Sequence, residues 1–218
     1  MKRRRLVLLP PVLFLLLLAA CSSAYYGAME KVGYAKREIL VSRVEKAREA
    51  QEEVKTEFTD ALQAFLAVTK ADGGALKGKY DDLNTRLKRS ESAAKEVHDR
   101  IAAIESVGDA LFVEWGNELG LYTNADLRAR SQEQLAATRN RYVALLAAMR
   151  RAAARMEPIL ATYRDQVLFL KHNLNAQAIR ALDSTSHTLQ TDVGRLIAEM
   201  EQSIREADAF IRGLNQTP

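Results

Sequence analysis

Few side chains in this chain are of a type and spacing that could do chemistry. The three histidines, His98, His172 and His187, stand too far apart for an HExxH motif or for any i, i+4 pair that would aim two imidazoles at one metal. His98 follows a seam position and reads as solvent-facing. His172 and His187 would flank a chain reversal at similar heights, so the sharper reading is a pH-sensitive contact and the plainer one is two surface imidazoles. Glu114 and Glu118 lie one helical turn apart on one face, as in carboxylate metal or acid–base sites. Such sites need inward ligands from the facing helices as well, and those positions are apolar here, which favours solvated carboxylates beside Trp115. There is no glycine-rich phosphate loop and no GxSxG elbow. Arg139, Arg141, Arg150, Arg151 and Arg155 form a basic run with no acid inside it. Arginine forks suit phosphate or acidic groups, which makes this run the candidate partner surface; the plainer alternative is pairing with an acidic run elsewhere in the chain. The pattern predicts no enzyme, no cofactor and no metal.

Cys21 is the only cysteine and so has no disulfide partner within the chain. It is preceded by a basic head, Met1 to Arg5, and an apolar stretch from Leu6 to Leu18 that contains Pro10 and Pro11. That stretch is shorter than the roughly twenty residues of a membrane-spanning helix and is broken by its prolines, so it reads as a signal peptide. Leu18-Ala19-Ala20-Cys21 resembles the lipobox of bacterial lipoproteins, in which the cysteine becomes the mature N-terminus and carries acyl chains. The resemblance implies cleavage after residue 20, lipidation at Cys21 and a membrane as the first partner. Acylation would also remove a stray thiol from an oxidising compartment. Several acyl chains, at about 0.8 kcal/mol per buried methylene, anchor far more firmly than one. Ser22 and Ser23 follow the cysteine, and lipoproteins retained in the inner membrane commonly carry aspartate at the first of these positions, so the resemblance favours the outer membrane, facing the periplasm.

Removing the leader removes Lys2, Arg3, Arg4 and Arg5, and the 32 basic side chains then fall to match the 28 acidic ones. A neutral mature chain has no overall pull toward nucleic acid. With 48% apolar residues it can bury a core. The apolar residues recur at helical spacing. One seam runs Leu40, Val44, Ala47, Gln51, Val54, Phe58, Ala61, Phe65, Val68, and a second runs from Leu76 through Leu83, Leu87, Ser90, Val97, Ile104, Gly108 and Leu111 to Trp115. Asp72-Gly73-Gly74 between them predicts a reversal. Gly116 and Gly120 interrupt the pattern, and Thr123-Asn124 offers a cap for a third helix. The third seam, from Leu135 through Tyr142, Met149, Met156 and Tyr163 to Leu170, keeps its phase across Pro158, which predicts a kink rather than a stop. The fourth runs from Leu182 through Leu189, Leu196, Ser203 and Phe210 to Leu214.

Only Asn173 and Asn175 mark a turn between the third and fourth helices. Folding back at Leu174 would set position 155 against 193 and lay the arginine run beside Asp192, Glu199, Glu201, Glu206 and Asp208, a pairing that would select register more than stability. The expectation is an all-α, elongated, antiparallel four-helix bundle with coiled-coil-like packing, each helix of about forty residues and about 60 Å. It would occupy residues 37–218, behind a cleaved leader (1–20) and a lipidated tether (21–36).

Three segments add a further likeness: Tyr25-Tyr26-Gly27-Ala28-Met29-Glu30-Lys31-Val32-Gly33-Tyr34, Lys36-Arg37-Glu38-Ile39-Leu40, and Asp165 through Ala176. Through them the chain resembles a family of predicted proteobacterial helical lipoproteins catalogued as a domain of unknown function. The resemblance implies a periplasmic helical protein and carries over no site. The expected role is a membrane-anchored scaffold or adaptor for other envelope proteins, with self-association through an uncovered apolar stripe as a further expectation. The alternative is a sensor that opens around an amphiphile at thin points of the seams (Gln51, Gly108, Gln166, Ser186, Ser203), hinged at Pro158.

Overall fold

The computed structural model describes residues 36–71 and 75–215. Among the described residues five α-helices follow in order: α1 (Lys36–Thr69), α2 (Leu76–Glu118), α3 (Ala125–Ala154), α4 (Met156–His172) and α5 (Ala176–Asn215), with a 3₁₀ turn at Leu119–Leu121. No strand occurs among the described residues. The chain is an all-α bundle. The leader, Cys21, the tether before Lys36 and the Asp72-Gly73-Gly74 reversal lie outside the described residues.

α1 packs on α2 and α5, and α3 and α4 pack on the same two helices from the other side, so the four passes form a closed ring. Cross-links between passes run antiparallel. Arg86 Nη1 bonds Asp60 Oδ2 at 2.6 Å between α1 and α2, and Arg48 Nη1 bonds Asp208 Oδ1 at 3.1 Å between α1 and α5. At 1.5 Å per residue the 43 residues of α2 make a rod of about 65 Å. One end, here the turn end, holds the α4–α5 reversal and the approach of α1 to α2. At the other, the open end, α1 starts and α5 stops.

Every residue of the first seam, Gln51 included, is buried, and the second is buried from Leu83 to Leu111. The apolar stripes therefore face one another along the whole rod, with Phe65 edge-on to Tyr163 at 6.2 Å and Phe112 edge-on to Tyr142 at 5.0 Å.

The third pass departs from a single forty-residue helix: it is divided at Arg155 into segments of 30 and 17 residues. Pro158 is the third residue of α4. It has no N–H to donate to the Ala154 carbonyl, and its ring crowds that group, so the ladder breaks one turn before the proline. Met149, Ala152, Met156, Ile159 and Tyr163 are nonetheless all buried, so the phase survives the kink.

Asparagines punctuate both remaining connections. Asn124 Oδ1 accepts from the backbone N–H groups of Asp126 and Leu127 at 2.9 and 3.1 Å, capping α3, and Asp126 sits in the favourable first turn. Asn175 Oδ1 accepts from Gln177 and Ala178, both at 3.0 Å, starting α5, while Asn173 Nδ2 donates to the Phe169 carbonyl at 2.9 Å and closes α4. The turn is thus real without glycine or proline. Its register differs from a straight fold-back: Arg155 meets Glu199, at 2.9 Å, rather than position 193. Side chains lean toward the N-terminus of their own helix, so on antiparallel neighbours the arginine reaches away from the turn and the glutamate reaches toward it.

Candidate functional site

At the open end, Lys36 and Arg37 of α1, Leu111, Glu114, Trp115 and Glu118 of α2 and Leu214 of α5 line a groove of about 400 Å³. Lys36 Nζ bonds Glu114 Oε1 at 2.9 Å, which neutralises the inner carboxylate, while Glu118 is exposed. Among the described residues, no three histidine, cysteine or acidic side chains are placed to hold a metal ion.

Beyond this groove the α2–α3 hairpin continues alone. Trp115 Nε1 donates to Ser131 Oγ at 2.8 Å and closes the hairpin at the level of the groove. From 121 to 130 every residue is exposed. This projecting tip carries Leu121, Tyr122 and Leu127, which are 79%, 41% and 51% exposed. Leu121 and Tyr122 escape a search for seams because they follow the end of α2, and Leu127 stands one turn before Ser131 and two before Leu135, extending the face of the third seam past the ends of α1 and α5.

The arginines do not act as one face. Arg150 bonds Glu105 of α2 at 2.7 Å, Arg155 bonds Glu199 of α5, and the Arg139 guanidinium sits 5.3 Å from the centre of the Phe112 ring. Arg141 lies against Gly213. Arg151 is exposed and makes no ion pair with any described residue; with Arg155, Pro158 and Glu199 it lines a shallow notch at the kink. The expected pairing of this run with the acidic run on α5 is therefore corrected to one pair. The acids of α5 turn instead toward α1, as in Arg48–Asp208 and in Lys55–Glu201 at 3.6 Å, because α5 sits between α1 and α3 and shows each of them only part of its circumference. His98, His172 and His187 are all exposed.

Inside the rod several polar seam positions find partners within the chain. Gln51 Nε2 donates to Ser203 Oγ at 2.9 Å, and that hydroxyl donates to Gln51 Oε1 at 3.0 Å. Ser90 Oγ donates to the Glu57 carbonyl at 3.1 Å, joining α2 to α1. Ser186 Oγ turns back to the Asp183 carbonyl of its own helix at 2.8 Å. The space left by Gly108 is filled by the Tyr142 ring, which a β-carbon there would overlap. Tyr163 Oη and Thr138 Oγ1 are buried without a hydrogen-bond partner. Burial raises the pKa of both Tyr163 and Tyr142, and Asp109 and Glu105 push Tyr142 further the same way.

This architecture defines the class of protein: the described residues form an all-α bundle with a buried apolar core and one projecting hairpin. More narrowly, the chain belongs to the family described as a protein of unknown function (DUF2959), whose pattern matches residues 25–214. Comparison with curated proteins found no match. No helix among the described residues is long and apolar enough to cross a membrane.

Proposed function

We propose that the chain is a lipid-anchored rod of the bacterial periplasm, held by acyl chains on Cys21 and serving as a scaffold or adaptor for envelope proteins, without catalysis. The observation that carries this reading is that the polypeptide enters a rod of about 65 Å at one end, through Lys36, while buried seam residues run along its length. An anchor fifteen residues before Lys36 would hold the open end near a bilayer and present the turn end at a distance. The Ser22 and Ser23 pair favours the outer membrane.

Partner surfaces in this reading are the outer faces. The free Arg151 beside the kink is the member of the arginine run best placed for an acidic group, whereas Arg139, Arg150 and Arg155 are engaged within the chain. Leu168, Phe169 and Leu174 are 60%, 41% and 40% exposed near the turn end and offer apolar contact. The amphiphile-sensor alternative gains less support, since Gln51 and Ser203 satisfy each other and Tyr142 fills the gap at Gly108.

The test has two parts. Radiolabelled palmitate should enter the chain and fail to enter Cys21→Ser, and photocross-linkers at Arg151 and Phe169 in cells should give reproducible protein adducts that His98 does not give. Absence of label removes the anchor, and absence of adducts from both positions removes the adaptor.

A further inference from the structure

We infer that the projecting α2–α3 tip is a lipid-contacting foot, with Leu121, Tyr122 and Leu127 resting in the interfacial layer of the same bilayer that holds Cys21. The inference deepens the proposed function and rests on it, because the anchor is what brings this end to a membrane.

Three observations select the occupant. The first is position: Lys36, where the chain from Cys21 joins the rod, bonds Glu114, and Leu214 of α5 lies in the same groove. The tip therefore belongs to the end nearest the anchor. The second is reach. α1 begins and α5 ends level with Glu114, and the hairpin runs on past Ser131 toward Ala125, about 10 Å at helical rise. The fifteen-residue connection from Cys21 to Lys36 spans at most about 50 Å fully extended, which sets no obstacle to the tip touching lipid. Interfacial segments bury their apolar faces by roughly 5–10 Å, so a projection of this size reaches that depth before the body of the rod meets the headgroups.

The third is chemistry. Leu121 is the most exposed of the large apolar residues on the described surface, and it stands next to Tyr122, whose ring and hydroxyl suit the boundary between acyl chains and water. Arg128 and Arg130 follow on the first turns of α3, are exposed and pair with no described carboxylate, which leaves them free for lipid phosphate. A protein partner would be served equally well by the exposed apolar residues of the turn end; what singles out the tip is its place beside the anchored start of the chain.

The experiment uses the chain itself, expressed with its leader, purified in lipidated form and reconstituted into vesicles of phosphatidylethanolamine and phosphatidylglycerol. Because Cys21 is acylated, a single added cysteine is the only free thiol. An environment-sensitive fluorophore on Leu121→Cys should be blue-shifted and quenched by spin-labelled lipid, and the same probe on Leu174→Cys at the turn end should report water. The native Trp115 gives a readout without any label: its quenching by spin-labelled lipid should fall in the Leu121→Ser/Leu127→Ser double variant, with far-ultraviolet circular dichroism unchanged. A probe at 121 that stays in water on vesicle-bound chain overturns the foot and leaves the anchor standing. A chain that takes up no palmitate and does not float with vesicles overturns both.

Discussion

The middle of the rod and its open end obey different rules. Inside the rod, several positions that would be costly to bury are answered from a neighbouring helix: Gln51 by Ser203, Ser90 by the Glu57 carbonyl, the absent side chain of Gly108 by Tyr142. At the open end two helices run past the other two, and leucine and tyrosine side chains stand in water. Apolar surface is normally spent on the core, and in the proposed reading the tip keeps some of it exposed for the bilayer. The difference separates residues that hold the rod together from residues that meet its surroundings.

The largest effect should come from the buried core. Phe65 is fully buried, and Phe65→Ala is expected to lose about 3–5 kcal/mol, read as a fall in the chemical-denaturation midpoint. Gly108→Ala places a methyl where the Tyr142 ring lies, and overpacking should cost about 1–3 kcal/mol and disturb the Phe112–Tyr142 contact, visible in near-ultraviolet circular dichroism. Gln51→Leu leaves the Ser203 hydroxyl buried and unpaired at a cost of about 1–3 kcal/mol, and adding Ser203→Ala should recover most of it in a double-mutant cycle. Tyr163→Phe goes the other way: deleting a buried hydroxyl that has no partner should raise stability by up to about 1 kcal/mol. Smallest of all, Leu121→Ser should shift stability by less than about 0.5 kcal/mol while changing membrane contact, and a large loss of stability there would erase the distinction between core and tip.

The buried tyrosines also set a pH response. Their folded pKa values lie above the ordinary value of about 10, so the stability they carry is intact below that pH and is lost as the unfolded chain begins to release phenolic protons above it. Melting temperature should decline between about pH 10 and 12, and Tyr163→Phe should flatten that decline.

Much of the architecture could be read from residue spacing, because four apolar seams of period near 3.5 admit few other arrangements. The phase across Pro158 was legible for the same reason, since an inward Met156 and Ile159 after Ala152 require the helix to resume in register. The actual break at Arg155 was less so, because a proline acts on the carbonyl four residues behind it. Charge patterning misled: a basic run and an acidic run on consecutive helices invite pairing, but the acids of α5 divide their contacts between α1 and α3. The tip left the faintest trace. Leu121 follows the end of α2 and Leu127 continues the face of the third seam, so their exposure is legible only once the ends of the other helices are known.

An even number of passes returns the polypeptide to the side from which it set out, with Lys36 and Asn215 at the same extremity of the rod. In the proposed reading a reporter fused after α5 would therefore sit beside the anchor, and the α1–α2 and α4–α5 reversals would face outward. Reach could also be altered without touching either extremity: seven residues added to each of the four passes, in matched positions, would carry the turn end about 10 Å farther from the open end and leave every seam in step.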